Sequence, residues 1–320
     1  MSEAPAPVVA AEGLTRTFGP TVAVDGLTLE VRRGEVFGIL GHNGAGKTTL
    51  LRLINGLLRP TSGTVTTLGG PSYRAGATIR RRTGVVTEST ALDDFLTIRE
   101  HLLAYGAMSG RSATVIARRA DELLSTFGLA EVADRQAREL SAGMRQRAAF
   151  ARGLVHDPEL LLLDEPTANM DPVAARKVRH LVADLARQAG RTVVLSTHNL
   201  AEAQDVCDRI AVLRRGHLQA LGTMAELSRL VAAEVPVTVL TDPGAAGLAW
   251  EVAGRFGIVT SNGQPGRISV QGAGGDRIPT LIAALVHAGV PVREVTGREP
   301  SLEEIYVALH ERKERVWTAP

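Results

Sequence analysis

The sequence predicts an α/β fold: a phosphate-loop core of strands and helices with an inserted helical block, followed by a smaller α+β unit. Three observations carry this. Short apolar runs alternate with segments of helical spacing through residues 8–225, the texture of a sheet covered by helices. The run Leu160-Leu161-Leu162-Leu163 is apolar throughout, as in a strand buried on both faces. The stretch Gly41-His42-Asn43-Gly44-Ala45-Gly46-Lys47-Thr48 lies between a strand-like run and a helix-like one, the context a phosphate-cradling loop requires.

Each element follows from local pattern. Residues 8–11, 27–31 and 36–40 read as strands separated by glycine turns. Residues 49–58 have helical spacing and stop before Pro60. A strand at 64–68 precedes a Gly-Gly-Pro turn, and 97–127 is helical with a break at Ser109-Gly110. A helix is expected over 142–156, ending before Pro158. Residues 172–188 read as a helix, 192–196 as a buried strand, 200–207 as a short helix and 210–213 as the last strand of the core. Beyond residue 230 the order is strand 235–240, helix 247–256, strands 258–261 and 268–271, helix 278–288, strand 290–295 and helix 302–312. Its first six elements give β-α-β-β-α-β, a ferredoxin-like order. The expected domains are a leader at 1–7, read as disordered, a core at 8–228 with its helical block at about 89–157, and an accessory unit at 229–320.

Composition narrows the classes. Hydrophobic content of 44% and charged content of 22% are those of a soluble globular chain. No apolar run approaches the roughly 20 residues that span a bilayer. The single cysteine, Cys207, excludes an intrachain disulfide and fits a reducing compartment. Net charge is +2, and lysine occurs only at 47, 177 and 313. Acids are interspersed among the arginines and aromatics are scarce, so no nucleic-acid partner is expected.

The chemistry concentrates at a few positions. Glycines 41, 44 and 46 let backbone N–H groups turn inward around an anion, with His42, Asn43 and Ala45 completing the loop. The helix beyond offers its N-terminal N–H groups, including that of Thr49, to phosphate. Lys47 reaches the β- and γ-phosphates of a bound nucleotide, and the Thr48 hydroxyl suits Mg²⁺. Asp164 ends the buried run and suits the same metal, often through a water. Glu165 follows it, and strand alternation would turn its side chain the other way, toward a water attacking phosphate. Ser141 is placed to cap the helix from Ala142, forming with the N–H groups of Ala142 and Gly143 a second phosphate site beside Met144.

Leu140-Ser141-Ala142-Gly143-Met144 resembles the L-S-G-G-Q signature of ATP-binding cassette (ABC) ATPases, with Ala142 and Met144 departing from it. Together with the phosphate loop and Asp164-Glu165, in family order, it identifies residues 8–225 as similar to one such cassette. The resemblance implies Glu165 as catalytic base and His198, in Leu195-Ser196-Thr197-His198, as the switch histidine that contacts the γ-phosphate. It implies Asp171 as the D-loop aspartate and Phe18 as the aromatic that stacks on adenine, a core phenylalanine being the alternative. It places Glu88 where many members carry a metal-sensing glutamine, so Glu88 is expected on the metal side. In the family the signature turn touches ATP held by a second cassette, which implies a homodimer. Pro300-Ser301-Leu302-Glu303-Glu304-Ile305-Tyr306 resembles the ending of daunorubicin-resistance-type exporter ATPases. The expectation is therefore an exporter ATPase subunit for a drug-like molecule, at the cytoplasmic face of the membrane, working with separate multi-span permease subunits. Residues Leu92, Phe95 and Leu96 are expected to meet them. The alternatives are an ABC ATPase acting on ribosome or DNA, and an importer ATPase.

Overall fold

The computed structural model describes residues 6–168, 170–187, 190–232, 235–261 and 263–311. The sequence readings at residues 1–5, Asn169, Gln188 and Arg312 lie outside them. The chain divides into two compact units, Met1–Leu221 and Gly222–Pro320.

The first unit opens with β1 (Val9–Phe18), β2 (Thr21–Val31) and β3 (Val36–Leu40), then α1 (Lys47–Ile54), β4 (Ser62–Thr67), β5 (Gly70–Pro71), α2 (Gly76–Arg81) and β6 (Thr83–Val86). The helical block holds α3 (Ile98–Ala107), α4 (Ala113–Thr126) and α5 (Ala142–Leu154). There follow β7 (Leu160–Asp164), α6 (Pro172–Arg187), β8 (Thr192–Thr197), α7 (Leu200–Val206), β9 (Arg209–Arg214) and β10 (His217–Gly222). A six-stranded sheet runs β10-β9-β3-β8-β7-β6, and an antiparallel sheet runs β2-β1-β4-β5. From β9 to β6 every neighbouring pair is parallel.

The leucine run behaves as its composition dictates. Leu161 and Leu163 face a core shared with α3 to α6, while Leu160 and Leu162 face another shared with α1 and the antiparallel sheet. Alternate side chains of one strand thus enter two cores. Helix starts in the helical block are fixed by side chains: Thr97 and Glu100 form a capping box on α3, and Ser112 caps α4.

Several elements depart from the pattern. β1 continues to Phe18 because register shifts beyond Ala11 break its alternation without ending its pairing with β2. α1 stops at Ile54 rather than near 58 because Gly56 turns left-handed, φ +67°, where a Cβ would meet Ser72 O at 2.1 Å. The strand at 209–214 is not the last of the sheet, since β10 follows the Arg215-Gly216 turn and neighbours it. β6, four residues with one glycine, is too short to stand out, and α2 is hardly longer.

The second unit holds α8 (Met224–Val231), β11 (Val237–Thr241), α9 (Ala246–Ala253), β12 (Ile258–Thr260), β13 (Arg267–Gln271), α10 (Ile278–His287), β14 (Val292–Thr296) and α11 (Leu302–Glu311). Its sheet order is β12-β13-β11-β14 with antiparallel neighbours, the ferredoxin-like arrangement. Val237, Val239, Ile268 and Val270 pack on Ala249, Val252, Leu281 and Leu285 of α9 and α10. The sequence reading's boundary at 228/229 falls inside α8, and the whole helix packs on α11 within this unit.

Candidate nucleotide site

Parallel pairing brings three strand ends to one edge. Leu40 pairs with Thr197, and Asp164 with Ser196, so the loop after β3, the acids at the end of β7 and the histidine after β8 emerge side by side. This is the carboxyl edge, where ligands of open α/β sheets bind.

The glycine loop is locked by close approach. Gly46 sits at φ +103°, and a Cβ there would lie 2.3 Å from Ala23 O. A Cβ on Gly41 would lie 2.6 Å from Leu213 O. Ala45 N donates to His42 O at 3.1 Å, closing the turn, while His42, Asn43 and Gly44 are exposed. α1 begins at Lys47 without a side-chain cap, so its first-turn N–H groups, Thr48 and Thr49 included, are directed into the loop. Lys47 is 6% exposed and donates to Gly41 O at 2.6 Å and His42 O at 3.3 Å. Its Nζ also lies 3.0 Å from Glu165 Oε1.

The acids divide the remaining work. Asp164 Oδ2 accepts from Thr48 Oγ1 at 2.8 Å, and Oδ1 accepts from Ser196 Oγ at 2.5 Å. Glu165 lies beyond the strand at φ +49°. Its change of direction therefore comes from a left-handed residue, which costs roughly 1–2 kcal/mol, and not from strand alternation. Oε2 of Glu165 accepts from His198 N at 3.3 Å and lies 2.8 Å from His198 Nδ1. The carboxylate thus bridges the lysine of the loop and the histidine after β8. The His198 side chain is otherwise exposed.

The Thr48–Asp164 oxygens are hard donors of the kind Mg²⁺ takes, and such sites lean on substrate phosphates for the rest. Among the described residues no group of three or more His, Cys, Asp or Glu side chains could hold a metal by itself. That donor set fits a phosphate-borne ion rather than an all-protein cage.

Other expected residues lie apart from this cluster. Ser141 caps α5, accepting from Met144 N at 3.3 Å. Ser141, Gly143 and Met144 line a cavity of about 480 Å³ with Met170, Val173 and Lys177, and no phosphate-loop residue lines it. Ala142 is exposed beside it. Asp171 caps α6, its Oδ1 accepting from Val173 N and Ala174 N, each at 3.0 Å. Phe18 ends β1 half-exposed, with the Arg16 guanidinium 4.5 Å from its ring centre. Glu88 is exposed beyond β6. Phe95 and Leu96 are exposed, whereas Leu92 is buried in the helical core and is not available to a partner.

Three residues of this edge escaped the sequence reading. Glu202 on α7 is 1% exposed and accepts from Thr167 Oγ1 at 2.8 Å; burial raises its pKa. Gln146 Nε2 donates to Pro166 O at 2.8 Å, tying α5 to the loop after Glu165. Arg152 donates to Ala91 O at 2.6 Å and Thr90 O at 2.9 Å, tying α5 to the segment after Glu88. The available signal was polarity out of place: Arg152 is the lone charge in Ala148-Ala149-Phe150-Ala151-Arg152-Gly153-Leu154.

Phosphate recognition at the carboxyl edge of a parallel sheet makes the first unit a P-loop nucleotide-binding domain. The sequence profile of the ABC transporter family matches residues 24–168. The daunorubicin resistance ATP-binding protein DrrA3 of Streptomyces coeruleorubidus is 36% identical, over 94% of this chain and 95% of its own length. The Nod factor export ATP-binding protein I of Ralstonia nicotianae is 41% identical, over 69% of this chain and 68% of its own. A solved dimeric bacterial ABC transporter cassette is 28% identical, with TM-score 0.62, covering 67% of this chain and 98% of that one. The chain belongs to the ABC transporter family as one of its ATP-binding proteins, and it is an ATPase.

Proposed function

We propose that this ATPase powers export of a small, drug-like molecule, working as a pair of identical cassettes at the cytoplasmic face of the membrane beneath separate multi-span subunits. The observation that carries the paired site is that the cavity beside the Ser141 turn takes no lining residue from the chain's own phosphate loop. Two phosphate-binding turns that do not meet within one copy meet when two copies pack head to tail, and two-fold symmetry supplies both sites. The names of the relatives, drug resistance and Nod factor export, favour export over import.

In this reading Phe18 stacks on adenine, and the Gly41–Thr49 loop with Lys47 holds the phosphates. Thr48, Asp164 and Glu88 serve Mg²⁺, which when bound neutralises charge developing on the β- and γ-phosphate oxygens. Glu165 takes the proton of a water whose oxygen bonds to the γ-phosphorus, while the bond from that phosphorus to the bridging oxygen of ADP breaks. His198 holds Glu165 in place and faces the γ-phosphate, and Ser141, Gly143 and Asp171 of the partner copy close the site. ATP closes the pair and hydrolysis reopens it.

Phe95, 69% exposed beside Leu96, is the contact assigned to the membrane subunit. Phe95→Arg is expected to abolish cargo efflux while purified ATPase activity stays within about twofold, as for surface substitutions. Unchanged efflux sinks this contact. Capture of the tagged chain from solubilised membranes tests the wider reading: a multi-span partner without a separate binding protein supports export. Co-purifying nucleic acid with no membrane partner refutes it.

A further inference from the structure

Residues 36–87 contain seven basic residues and no acid, an exception to the interspersed charge elsewhere. Lys47 belongs to the phosphate loop and Arg82 to an ion pair with Glu159. The others include Arg52, Arg74, Arg80 and Arg81, all exposed. Among the described residues none of these four pairs with a carboxylate, and Glu159 is held by Arg82 and Arg33.

The fold gathers them on one surface. Leu57 N and Leu58 N donate to Arg52 O, winding the end of α1 back on itself. Gly56 sits against Ser72, and Arg80 Nη1 reaches Gly56 O at 3.4 Å. The end of α1, the turn after β5 and α2 therefore form a continuous face. Two large side chains stand among the arginines, Leu57 at 55% and Tyr73 at 49% exposure. Arg82 O accepts from Glu159 N and Leu160 N at the start of β7. The face thus lies at the amino edge of the sheet, about 12 Å of helix from the phosphate loop, clear of the nucleotide.

We propose that this face binds the anionic headgroups of a lipid bilayer. Four guanidinium groups without carboxylate partners among the described residues supply charge complementarity to acidic lipids. An exposed tyrosine and leucine among them suit the water–lipid boundary, where amphipathic rings and apolar side chains rest. β6, four residues or about 13 Å long, links this face to the segment leading to Phe95, the contact assigned to the membrane subunit. The inference rests on the transporter reading for its setting, while the lipid contact is measurable without any partner.

The test sediments the purified full-length chain with vesicles of phosphatidylcholine alone, or with about one-third phosphatidylglycerol, at about 0.15 M salt. At least about tenfold tighter binding to the anionic vesicles is expected, with Arg74→Glu/Arg81→Glu removing the preference and leaving ATPase activity intact. Equal binding to both vesicles, or an unaltered preference in the double variant, overturns the proposal. Tighter binding to a DNA duplex than to anionic vesicles, lost in the same variant, also overturns it and assigns the face to nucleic acid. These vesicles hold no protein, so failure here leaves the exporter reading standing; a missing membrane partner in the capture experiment sinks that reading whatever the vesicles show.

Discussion

The two units differ most in what they bury. In the first, Glu35, Lys47, His101, Arg152, Asp164, Glu165 and Glu202 are all charged or titratable and buried. In the second, among the described residues, the buried polar groups are Ser228 and Thr241 alone. An unpaired buried charge costs several kcal/mol, so each must be matched by a partner or a task. Glu35 has Arg209 at 3.1 Å, and Arg152 has two backbone carbonyls. Lys47, Asp164 and Glu165 form the edge where phosphate is handled. The second unit has an apolar core and keeps its ion pairs outside, as with Arg298 and Glu304. The contrast assigns chemistry to the first unit and packing to the second.

The strongest way to break that division is at Ser141. It is exposed, and among the described residues its hydroxyl accepts a hydrogen bond only from Met144 N at its own helix start. Ser141→Arg is expected to leave nucleotide binding within a few-fold and to lower hydrolysis at least about a hundredfold, the scale of losing a preorganised phosphate donor. Equilibrium binding of a fluorescent ATP analogue and steady-state phosphate release check the two halves. Surviving turnover would remove the paired-site reading and leave the loop of a single copy as the whole active site.

What was legible in the sequence follows the same boundary. The phosphate loop, the leucine strand and its two acids declare themselves because glycine, lysine and carboxylate at fixed spacing serve one chemistry. The βαββαβ order of the second unit was legible from alternation alone, since a small sheet with one helical face leaves a period-two trace at β11 and β13. β6 and β10 were not, one being short and the other following a turn read as the end of the sheet. Glu165's left-handed backbone was invisible because no residue type announces it. Glu202 was hidden because its partner, Thr167, lies 35 positions away.

Glu202 sharpens the contrast at a smaller scale. Burial is the main cause of its raised pKa, offset by hydrogen bonds from Thr197 and Thr167. A carboxyl with a raised folded-state pKa supports folding when protonated, and this support is lost as pH rises through that pKa. Glu202→Gln is therefore expected to melt about 2–4 °C above wild type at pH 8, with the difference shrinking toward pH 5. Calorimetry at the two pH values decides it; a pH-independent difference refutes the electrostatic origin.

The second unit is expected to respond through caps instead. Ser301 Oγ accepts from Glu304 N at 3.3 Å, and Ser301 N donates to Glu304 Oε2 at 3.0 Å. Arg298 and then the Ser301 backbone hold the Glu304 pKa down at about 2. Its contribution is present above the ordinary carboxylate range and is lost as pH falls toward that value. Ser301→Ala is expected to destabilise α11 by about 1 kcal/mol without altering ATP turnover, as read by urea unfolding alongside an ATPase assay. Lost turnover would show that this unit takes part in the chemistry after all.

The smallest effect is expected at Glu88, where the family resemblance and the geometry pull apart. Its side chain is exposed, so the fold neither forces it toward the metal nor charges a desolvation penalty for its negative charge. A metal-side role at this position needs one acceptor oxygen, which glutamine also offers. Glu88→Gln should therefore keep Mg²⁺-dependent turnover within about twofold, the range of surface substitutions that leave a function intact. Steady-state ATPase activity across a Mg²⁺ titration is the measurement. A collapse in that variant would mean that the charge itself is required, moving one catalytic element of the first unit from its buried edge to an exposed loop.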